Sequence, residues 1–472
     1  MLFPTIDFAV FFALVFPVTW SLNSWNFSKK IWLVAASYLF YSFWDWRFLF
    51  LLFFSSIGNF CAGVLIGSAK GLGVRRLVLA VAVALNLSVL GYFKYYNFLS
   101  LTLSNVLARL GLNVDFGSTE VALPIAISFL TFHGLSYIID VYRGRIAPSK
   151  SAVDLLLYIS FFPHLVAGPI VRAHDFLPQL ERRSDPSTIR VGQSVFLILG
   201  GLFKKVVIAS HVSTLFVDPI FVEPTNYGTI DLILGMYAYA VVIYCDFSAY
   251  TDIAIGIANL LGYQFPQNFD QPYRALSLQD FWRRWHMTLS TWLRDYLYIS
   301  LGGNRHGTFA TYRNLIITMG LGGLWHGAGL QFIVWGLMHG VGLAVERALG
   351  LRQERDAPRR GRFTIFIAWF VTFHFVCIAW VFFRSPSLDA AAAYFGTMFS
   401  NPTVPSTITW FVAVWMAVGF LTQWIDASYF RKLQGYYERS PLAAKVLVPF
   451  AVIYVIAVLS PVGIPPFIYF QF

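Results

Sequence analysis

The sequence predicts an all-α protein that crosses a lipid bilayer many times. Of its 472 residues, 57% are hydrophobic and only 12% are charged, and the mean hydropathy is +0.64. A soluble domain averages about 25% charged residues, so a water-soluble fold of this size could not cover so much apolar surface. Apolar runs long enough to span a membrane recur along the whole chain, and lipid is therefore the solvent for most of it.

The apolar runs predict about 11 spans, and the first of them is expected to be a retained helix and not a cleaved signal peptide. Several runs fall short of the roughly 20 residues that a span requires, which favours tilted, half-length or re-entrant helices. No internal repeat is evident, which weakens a transporter built from inverted repeats. The runs cover residues 8–22, 31–44, 48–66, 77–93, 121–139, 196–208, 230–261, 332–345, 365–383, 411–424 and 444–459.

The formal charge of +11 arises from short basic clusters between apolar runs. Residues 29–30, 70–76 and 143–150 fall on alternate loops, and the positive-inside rule then places the N-terminus outside the cytoplasm. No basic soluble module interleaved with aromatic residues is present, which excludes a nucleic-acid partner. The three cysteines, Cys61, Cys245 and Cys377, are too scattered for a disulfide framework or a metal site.

A polar and aromatic insert occupies residues 264–313 and contains one amphipathic pattern. Ser277 and Asp280 have the spacing of a helix-capping box. A helix over residues 281–294 would then carry an aromatic stripe, with three arginines off it, and such a helix suits the membrane interface. The stripe consists of Phe281, Trp282, Trp285, Leu289, Trp292, Leu293 and Tyr296, and the arginines are Arg283, Arg284 and Arg294.

Two histidines are candidates for chemistry, one inside this insert and one in the segment that follows it. His326 lies in an apolar segment, residues 314–329, that five glycines interrupt, and we expect a broken helix lining a cavity there. An imidazole with an ordinary pKa near 6.5 suits a general base that takes a proton from an attacking hydroxyl. His286 lies at the edge of the aromatic stripe and could face the same cavity. Structural or ion-path roles for His326, and a hydrogen-bonded interfacial role for His286, remain open.

Asp246 and Asp252 lie in a long apolar run, where a carboxylate either relays protons or pairs with a neighbouring group. The sequence contains no Gly-x-Ser-x-Gly elbow, no phosphate-binding P-loop and no His-Glu-x-x-His zinc helix. Another nucleophile, a metal site and ATP-driven pumping by this chain are therefore not expected.

Six segments together resemble the membrane-bound O-acyltransferase family, in the bacterial branch that serves alginate O-acetylation. The central segments carry most of the resemblance, which extends from near Trp32 to the C-terminus. The segments are Phe162-Pro-His-Leu-Val-Ala-Gly-Pro169, the run Tyr244 to Gly256, Asn268-Phe-Asp-Gln-Pro-Tyr273, the run Phe281 to Tyr298, Leu301-Gly-Gly-Asn-Arg305 and Gly322-Gly-Leu-Trp-His-Gly327.

The resemblance implies one integral membrane domain over residues 1–472, shaped as a ring of tilted helices around a tunnel, with a catalytic core at 264–329. It implies acetyl-CoA as the donor, with no permanently bound cofactor, and an inner-membrane location. The implied partners are periplasmic acetyltransferase subunits and a polysaccharide acceptor, either alginate, cellulose or another exopolysaccharide. A more distant branch transfers D-alanine to teichoic acids.

By the same resemblance, His326 matches the histidine that the family treats as catalytic, and His286 matches a second histidine near the reaction centre. We expect five further residues to contact substrate: Trp285, Trp325, Asp246, Asn304 and Arg305. Arg283, Arg284 and Arg294 are expected to attract the phosphates of CoA, or else to anchor the chain to lipid headgroups.

Two other classes of protein compete with an acyltransferase. A transporter of an acyl carrier or polysaccharide precursor could use Asp246, Asp252 and His326 as a proton path, but it would leave the acetyl bond of its cargo intact. A structural anchor for a secretion complex would tolerate substitution of His326.

Overall fold

The computed structural model describes residues 1, 3–112, 114, 121–351, 361–402, 406–463 and 465–468. Over these ranges the chain consists of helices and connecting segments without a β-strand, which confirms the all-α fold class. The contacts divide the chain into two compact units. Unit 1 comprises Met1–Ile189 and Ile257–Pro266, and unit 2 comprises Arg190–Gly256 and Gln267–Phe472.

Unit 1 begins with long apolar helices and continues with shorter ones. A π-helical segment, Gly91–Tyr95, joins α4 to α5 without a break. The helices are α1 (Ile6–Ser21), α2 (Asn26–Ser42), α3 (Phe48–Ser68), α4 (Leu72–Leu90), α5 (Tyr96–Arg109), α6 (Ile127–Tyr142), α7 (Ala152–Ser160), α8 (Phe162–Leu165) and α9 (Ala173–Glu181).

Close packing and buried polar contacts hold unit 1 together. A Cβ atom on Gly63 of α3 would lie 2.4 Å from the Tyr137 hydroxyl of α6, so this glycine allows the two helices to approach. Lys30 of α2 pairs with Asp154 of α7 at 2.7 Å, and Lys29 donates to the Ser184 hydroxyl at 2.7 Å. Both lysines, which the sequence places in a loop cluster, are therefore buried in contacts within the unit.

Unit 2 contains the remaining helices. Two π-helical segments, Phe203–Ala209 and Ser213–Val217, connect the first three, and a third, Leu293–Tyr298, follows α15. The helices are α10 (Val191–Leu202), α11 (Ser210–Val212), α12 (Asp218–Val222), α13 (Thr229–Leu260, whose last turn belongs to unit 1), α14 (Leu278–Arg284), α15 (Met287–Trp292), α16 (Gly307–His326), α17 (Leu330–Ala348), α18 (Arg362–Arg384), α19 (Leu388–Ser400), α20 (Trp410–Leu421), α21 (Ala427–Arg439) and α22 (Leu442–Val458).

Five helical stretches in the described part of the chain are long and apolar enough to cross a membrane: Phe48–Ser68, Leu72–Arg109, Val191–Val222, Thr229–Leu260 and Arg362–Arg384. Shorter apolar helices cover Ile6–Ser21, Trp410–Leu421 and Leu442–Val458. These stretches agree with a membrane-embedded chain. The total of about 11 spans and the tunnel stay predictions.

Two local predictions have different outcomes. The helix break predicted for the segment with five glycines is present at residues 327–329, between the end of α16 at His326 and the start of α17 at Leu330, while Gly320, Gly322 and Gly323 lie inside α16. The prediction of one amphipathic helix over residues 281–294 is wrong, because the helix breaks at Trp285 and His286. The side chains of its aromatic stripe are buried inside unit 2.

Candidate active site

The glycines of α16 and α17 bring the two helix backbones into contact. A Cβ atom on Gly323 would lie 2.1 Å from the carbonyl oxygen of Phe332, and one on Gly336 would lie 2.3 Å from that of Met319. Any side chain at these positions would push the helices apart. This tight hairpin fixes the end of α16 and with it the position of His326.

His326 is the last residue of α16 and is enclosed by aromatic rings. Its ring centroid lies 4.9 Å from that of Trp325, 5.1 Å from that of Trp335 and 5.2 Å from that of Phe383. Only 4% of the residue is exposed. His326 thus lies at the carbonyl end of α16, the end at which the helix dipole is negative.

His286 lies between α14 and α15 with its backbone in the left-handed region, at φ 42° and ψ 54°. Few residues other than glycine adopt this conformation, and where it occurs it often marks a functional position. The residue is fully buried, and its Nδ1 atom lies 3.1 Å from the side-chain oxygen of Asn268.

The contacts of Asn268 determine which nitrogen of His286 carries the proton. The backbone N–H of Thr288, which can only donate, lies 3.1 Å from Oδ1 of Asn268, and the Thr288 hydroxyl lies 2.9 Å from the same oxygen. This atom is therefore an acceptor, and His286 must donate to it from Nδ1. The Nε2 atom then carries the lone pair, and it has no hydrogen-bond partner in the described part of the chain.

Burial lowers the pKa of His286 to about 3, because a charged ring would lose its hydration there. His286 is thus neutral at physiological pH. A neutral ring with its lone pair on Nε2 can accept a hydrogen bond from a hydroxyl, whereas it cannot donate one to an oxyanion from that atom.

Trp325 places the two histidines in one site. Its ring centroid lies 4.9 Å from that of His326 and 6.4 Å from that of His286. The structure therefore brings together three residues that the sequence predicts for the site. All three belong to unit 2.

Two predicted substrate residues have structural contacts instead. The Trp285 ring packs in the core against Trp380, with the centroids 4.9 Å apart. The Asp246 carboxylate pairs with Lys205 at 2.6 Å and accepts the backbone N–H of Ile468 at 2.8 Å. Asp252 likewise pairs with Lys204 at 2.6 Å. The sequence left two roles open for these carboxylates, and the geometry favours ion pairing over a proton relay.

Asn304 and Arg305 lie in an exposed turn between Tyr298 and α16. The buried side chain of Asn314 holds this turn by donating to the carbonyl oxygens of Leu301 and Gly303 at 3.1 and 2.9 Å. The turn is therefore fixed while its two polar side chains face outward.

The three arginines predicted to bind phosphate differ in their ion-pair partners and in their exposure. Arg284 pairs with Asp280 at 2.9 Å, and Arg294 pairs with Asp295 at 2.6 Å with 60% of its side chain exposed. Arg283 is exposed. Arg284 lines a large cavity.

Asn268 is the site residue that sequence reasoning missed. It belongs to one of the segments that carry the family resemblance, but nothing in the sequence indicates that it reaches across 18 positions to His286. As for metals, the described ranges contain no group of three or more histidine, cysteine, aspartate or glutamate residues that could hold an ion.

Two histidines buried beside a shared tryptophan, in a helical chain with membrane-length apolar helices, can carry the proton transfers that an acyltransferase within a membrane requires. The comparisons agree. Residues 144–388 match the membrane-bound O-acyltransferase family, MBOAT, and the chain belongs to that family.

Several curated relatives are similar over most of the chain. "Probable alginate O-acetylase AlgI" of Pseudomonas putida is 42% identical over 85% of this chain and 80% of the relative. The protein of the same name in Pseudomonas aeruginosa is 43% identical over 85% of this chain and 76% of the relative. A peptidoglycan O-acetyltransferase of Helicobacter pylori is 39% identical over 77% of this chain and 72% of the relative.

Proposed function

We propose that this acyltransferase moves acetyl groups from cytoplasmic acetyl-CoA to the outer face of the inner membrane, where hydroxyl groups of a polysaccharide are acetylated. The observation that carries this proposal is the histidine pair around Trp325 in a chain of the MBOAT family. The relatives support O-acetylation, since they are named for acetyl transfer to alginate or peptidoglycan. Family membership favours the enzyme over the transporter and the anchor.

In the proposed reaction, His326 is the general base. It takes the proton of a hydroxyl group while the hydroxyl oxygen attacks the thioester carbonyl carbon. The new carbon–oxygen bond forms, the carbon–sulfur bond breaks, and the leaving thiolate of CoA takes the proton from the imidazolium. The carbonyl end of α16 stabilises that imidazolium between the two transfers. In an alternative mechanism, His326 itself accepts the acetyl group and passes it on, and the experiment below also detects this intermediate.

His286 orients the hydroxyl in this proposal. Its Nε2 lone pair accepts a hydrogen bond, while Asn268 holds the ring from the other side. A hydroxyl held in this way keeps its oxygen free to attack, so the contribution is positional.

The acceptor and partners follow from the same reasoning. Relatives that act on two different polymers are almost equally similar, and alginate, cellulose and peptidoglycan therefore all belong in an acceptor screen. The exposed turn that carries Asn304 and Arg305 is placed to contact the acyl donor, and periplasmic acetyltransferase subunits are the expected partners at the outer face. The N-terminus lies on the periplasmic side in this proposal, as the basic residues at positions 70–76 and 143–150 indicate.

The test is acetyl transfer by the purified protein in nanodiscs, with acetyl-CoA labelled in the acetyl group and polysaccharide acceptors present. The wild type is expected to transfer label, and His326→Ala is expected to lose transfer by a factor of about 10² to 10⁴. Label that stays on the protein after denaturation, in the wild type alone, would identify an acetyl-histidine.

His374→Gln is the matched control. His374 is also a helix histidine, but its ring nitrogens lie 2.7 Å from the Tyr237 hydroxyl and 2.7 Å from the Phe370 carbonyl oxygen, and it is not one of the rings around His326. It is expected to transfer label at the wild-type rate. Equal rates for the wild type and His326→Ala would remove His326 from the mechanism.

A further inference from the structure

A cavity of about 630 Å³ lies in unit 2, and its lining contains neither His286 nor His326. Three arginines line it: Arg274, Arg284 and Arg362. The volume is within the range of small-molecule sites, about 300 to 1,000 Å³. The other lining residues include one acidic side chain, Asp280, and the aromatic residues Phe366, Trp369 and Trp424. The cavity thus combines cationic and aromatic walls.

The positive charges of this cavity are unequally compensated. Arg284 lies 2.9 Å from Asp280 and 3.7 Å from Asp270, and Arg274, which donates to the side chain of Gln271 at 2.7 Å, also interacts with the carboxylate of Asp426. Arg362 has no ion-pair partner in the described ranges, and it is the first residue of α18, where a helix disfavours a cation. An anion in the cavity would relieve both conditions. Guanidinium groups match the geometry of phosphate oxygens.

The aromatic wall suits a flat ring. The centroids of Trp369 and Trp424 are 6.3 Å apart at 72°, so one ring stands edge-on to the other. Trp369 is held in place by its indole N–H, which donates to the Tyr273 carbonyl at 2.9 Å. Trp424 is 48% exposed and offers a ring face that a nucleobase can stack on.

The cavity is also near the reaction site and on the donor's side. Arg284 and His286 are two residues apart, so their Cα atoms lie within about 7.6 Å of each other. The sequence that precedes Arg362 carries Arg352, Arg355, Arg359 and Arg360. By the positive-inside rule this end of α18 faces the cytoplasm, where acetyl-CoA is found.

We propose that this cavity binds the phosphate and adenine end of the acyl donor, with Arg274 and Arg362 on the phosphates and the two tryptophans on the base. This inference rests on the proposed function for the identity of the donor. The chemistry that the cavity recognises, a phosphate group beside a flat or apolar moiety, is shared by CoA and by an anionic phospholipid headgroup, and the experiment separates the two.

The first measurement is binding of labelled CoA to the protein in phosphatidylcholine nanodiscs. Arg274→Gln combined with Arg362→Gln is expected to weaken CoA binding at least tenfold. The control combines Arg182→Gln with Arg183→Gln, which removes two exposed charges that follow α9 and is expected to bind CoA within twofold of the wild type. Thermal unfolding of both variants verifies the fold.

The second measurement separates the nucleotide from the thioester. The arginine double variant is expected to raise the KM for acetyl-CoA at least tenfold with little change in kcat. Its activity toward S-acetyl-N-acetylcysteamine, a thioester without phosphate or base, is expected to equal that of the wild type. An equal loss on both substrates would overturn the assignment, because the arginines would then act on chemistry or folding.

The remaining outcomes are distinct. Unchanged CoA binding in the double variant, together with lost enrichment of phosphatidylglycerol in mixed nanodiscs, would assign the cavity to lipid and overturn the proposal. Wild-type CoA binding that both variants retain without any lipid effect would overturn the cavity assignment and leave the proposed function standing. A wild type that binds no CoA would overturn the donor and this inference together.

Discussion

Asn268 accepts a hydrogen bond from Nδ1 of His286 at 3.1 Å, and this contact leaves the lone pair of the imidazole on Nε2. Both residues are buried. A ring that is neutral, fixed in one tautomer and held in a left-handed backbone conformation is ready to accept a hydroxyl without reorganising. This preorganisation is what a positioning residue contributes to a transfer reaction.

Asn268→Leu is expected to reduce acetyl transfer about 100-fold, because His286 would lose the acceptor that fixes its tautomer. Asn268→Asp is expected to retain much more activity, since a carboxylate oxygen accepts the same three hydrogen bonds from His286 and Thr288. The measurement is kcat for each variant over a range of pH.

The pH profile separates a positioning role from a structural one. The carboxylate of Asn268→Asp favours the imidazolium of His286, so its profile should move toward higher pH relative to the wild type. Equal losses in the leucine and aspartate variants, with an unmoved profile, would contradict a tautomer-fixing role for Asn268.

Asp246→Asn is expected to destabilise the protein by about 3–5 kcal/mol, because it leaves the charge of Lys205 buried without its partner. The two side chains are only 4% and 3% exposed. The measurement is thermal unfolding in detergent, alongside the KM of the remaining folded enzyme. Lys205→Met combined with Asp246→Leu is expected to recover most of the stability, since it removes both charges. An increased KM in Asp246→Asn with unchanged stability would restore the substrate-contact prediction for Asp246.

The sequence was sufficient for the fold class, and it singled out the two histidines that the structure brings together beside Trp325, for identifiable reasons. Apolar runs are a local property, and an imidazole among glycines and apolar residues stands out by its chemical cost. The environment of each residue was harder to predict. Periodicity placed residues 281–294 on one helix, because a left-handed residue at His286 leaves no mark on a hydrophobic stripe.

The glycines of α16 show the same limit. A cluster of glycines suits both a helix break and close helix packing, and only the structure shows which glycine does which: Gly327 and Gly329 lie at the break after α16, and Gly323 packs against α17. Asn268 and the cavity arginines Arg274 and Arg362 depend on contacts between distant parts of the chain, which spacing in the sequence does not encode.

Gly336→Ala is expected to destabilise the protein by about 1–3 kcal/mol, because the added methyl group would meet the Met319 carbonyl oxygen and force α16 and α17 apart. The shift would also displace His326, so kcat should fall in the folded fraction. Gly396→Ala is the matched control, since a Cβ atom there meets nothing within 4 Å and alanine favours the helix. Equal unfolding temperatures for the two variants would contradict the packing role of the hairpin.

The stability of unit 1 is expected to depend on pH through His174. A hydrogen bond to the buried carboxylate of Asp140, at 3.0 Å, raises the pKa of His174 above its usual 6.5. The folded state therefore binds the His174 proton more tightly than the unfolded state does. The resulting stability is complete below pH 6.5 and is lost as the pH rises through the folded-state pKa.

His174→Gln is consequently expected to lower the unfolding temperature most at pH 5.5, and the difference from the wild type should shrink steadily toward pH 8.5. His306→Gln is the control, because His306 is exposed and has no carboxylate partner in the described part of the chain. Its unfolding temperature should follow that of the wild type at every pH. A His174→Gln deficit of the same size at both ends of the range would mean that the neutral ring stabilises unit 1 by packing alone, and that its proton contributes nothing.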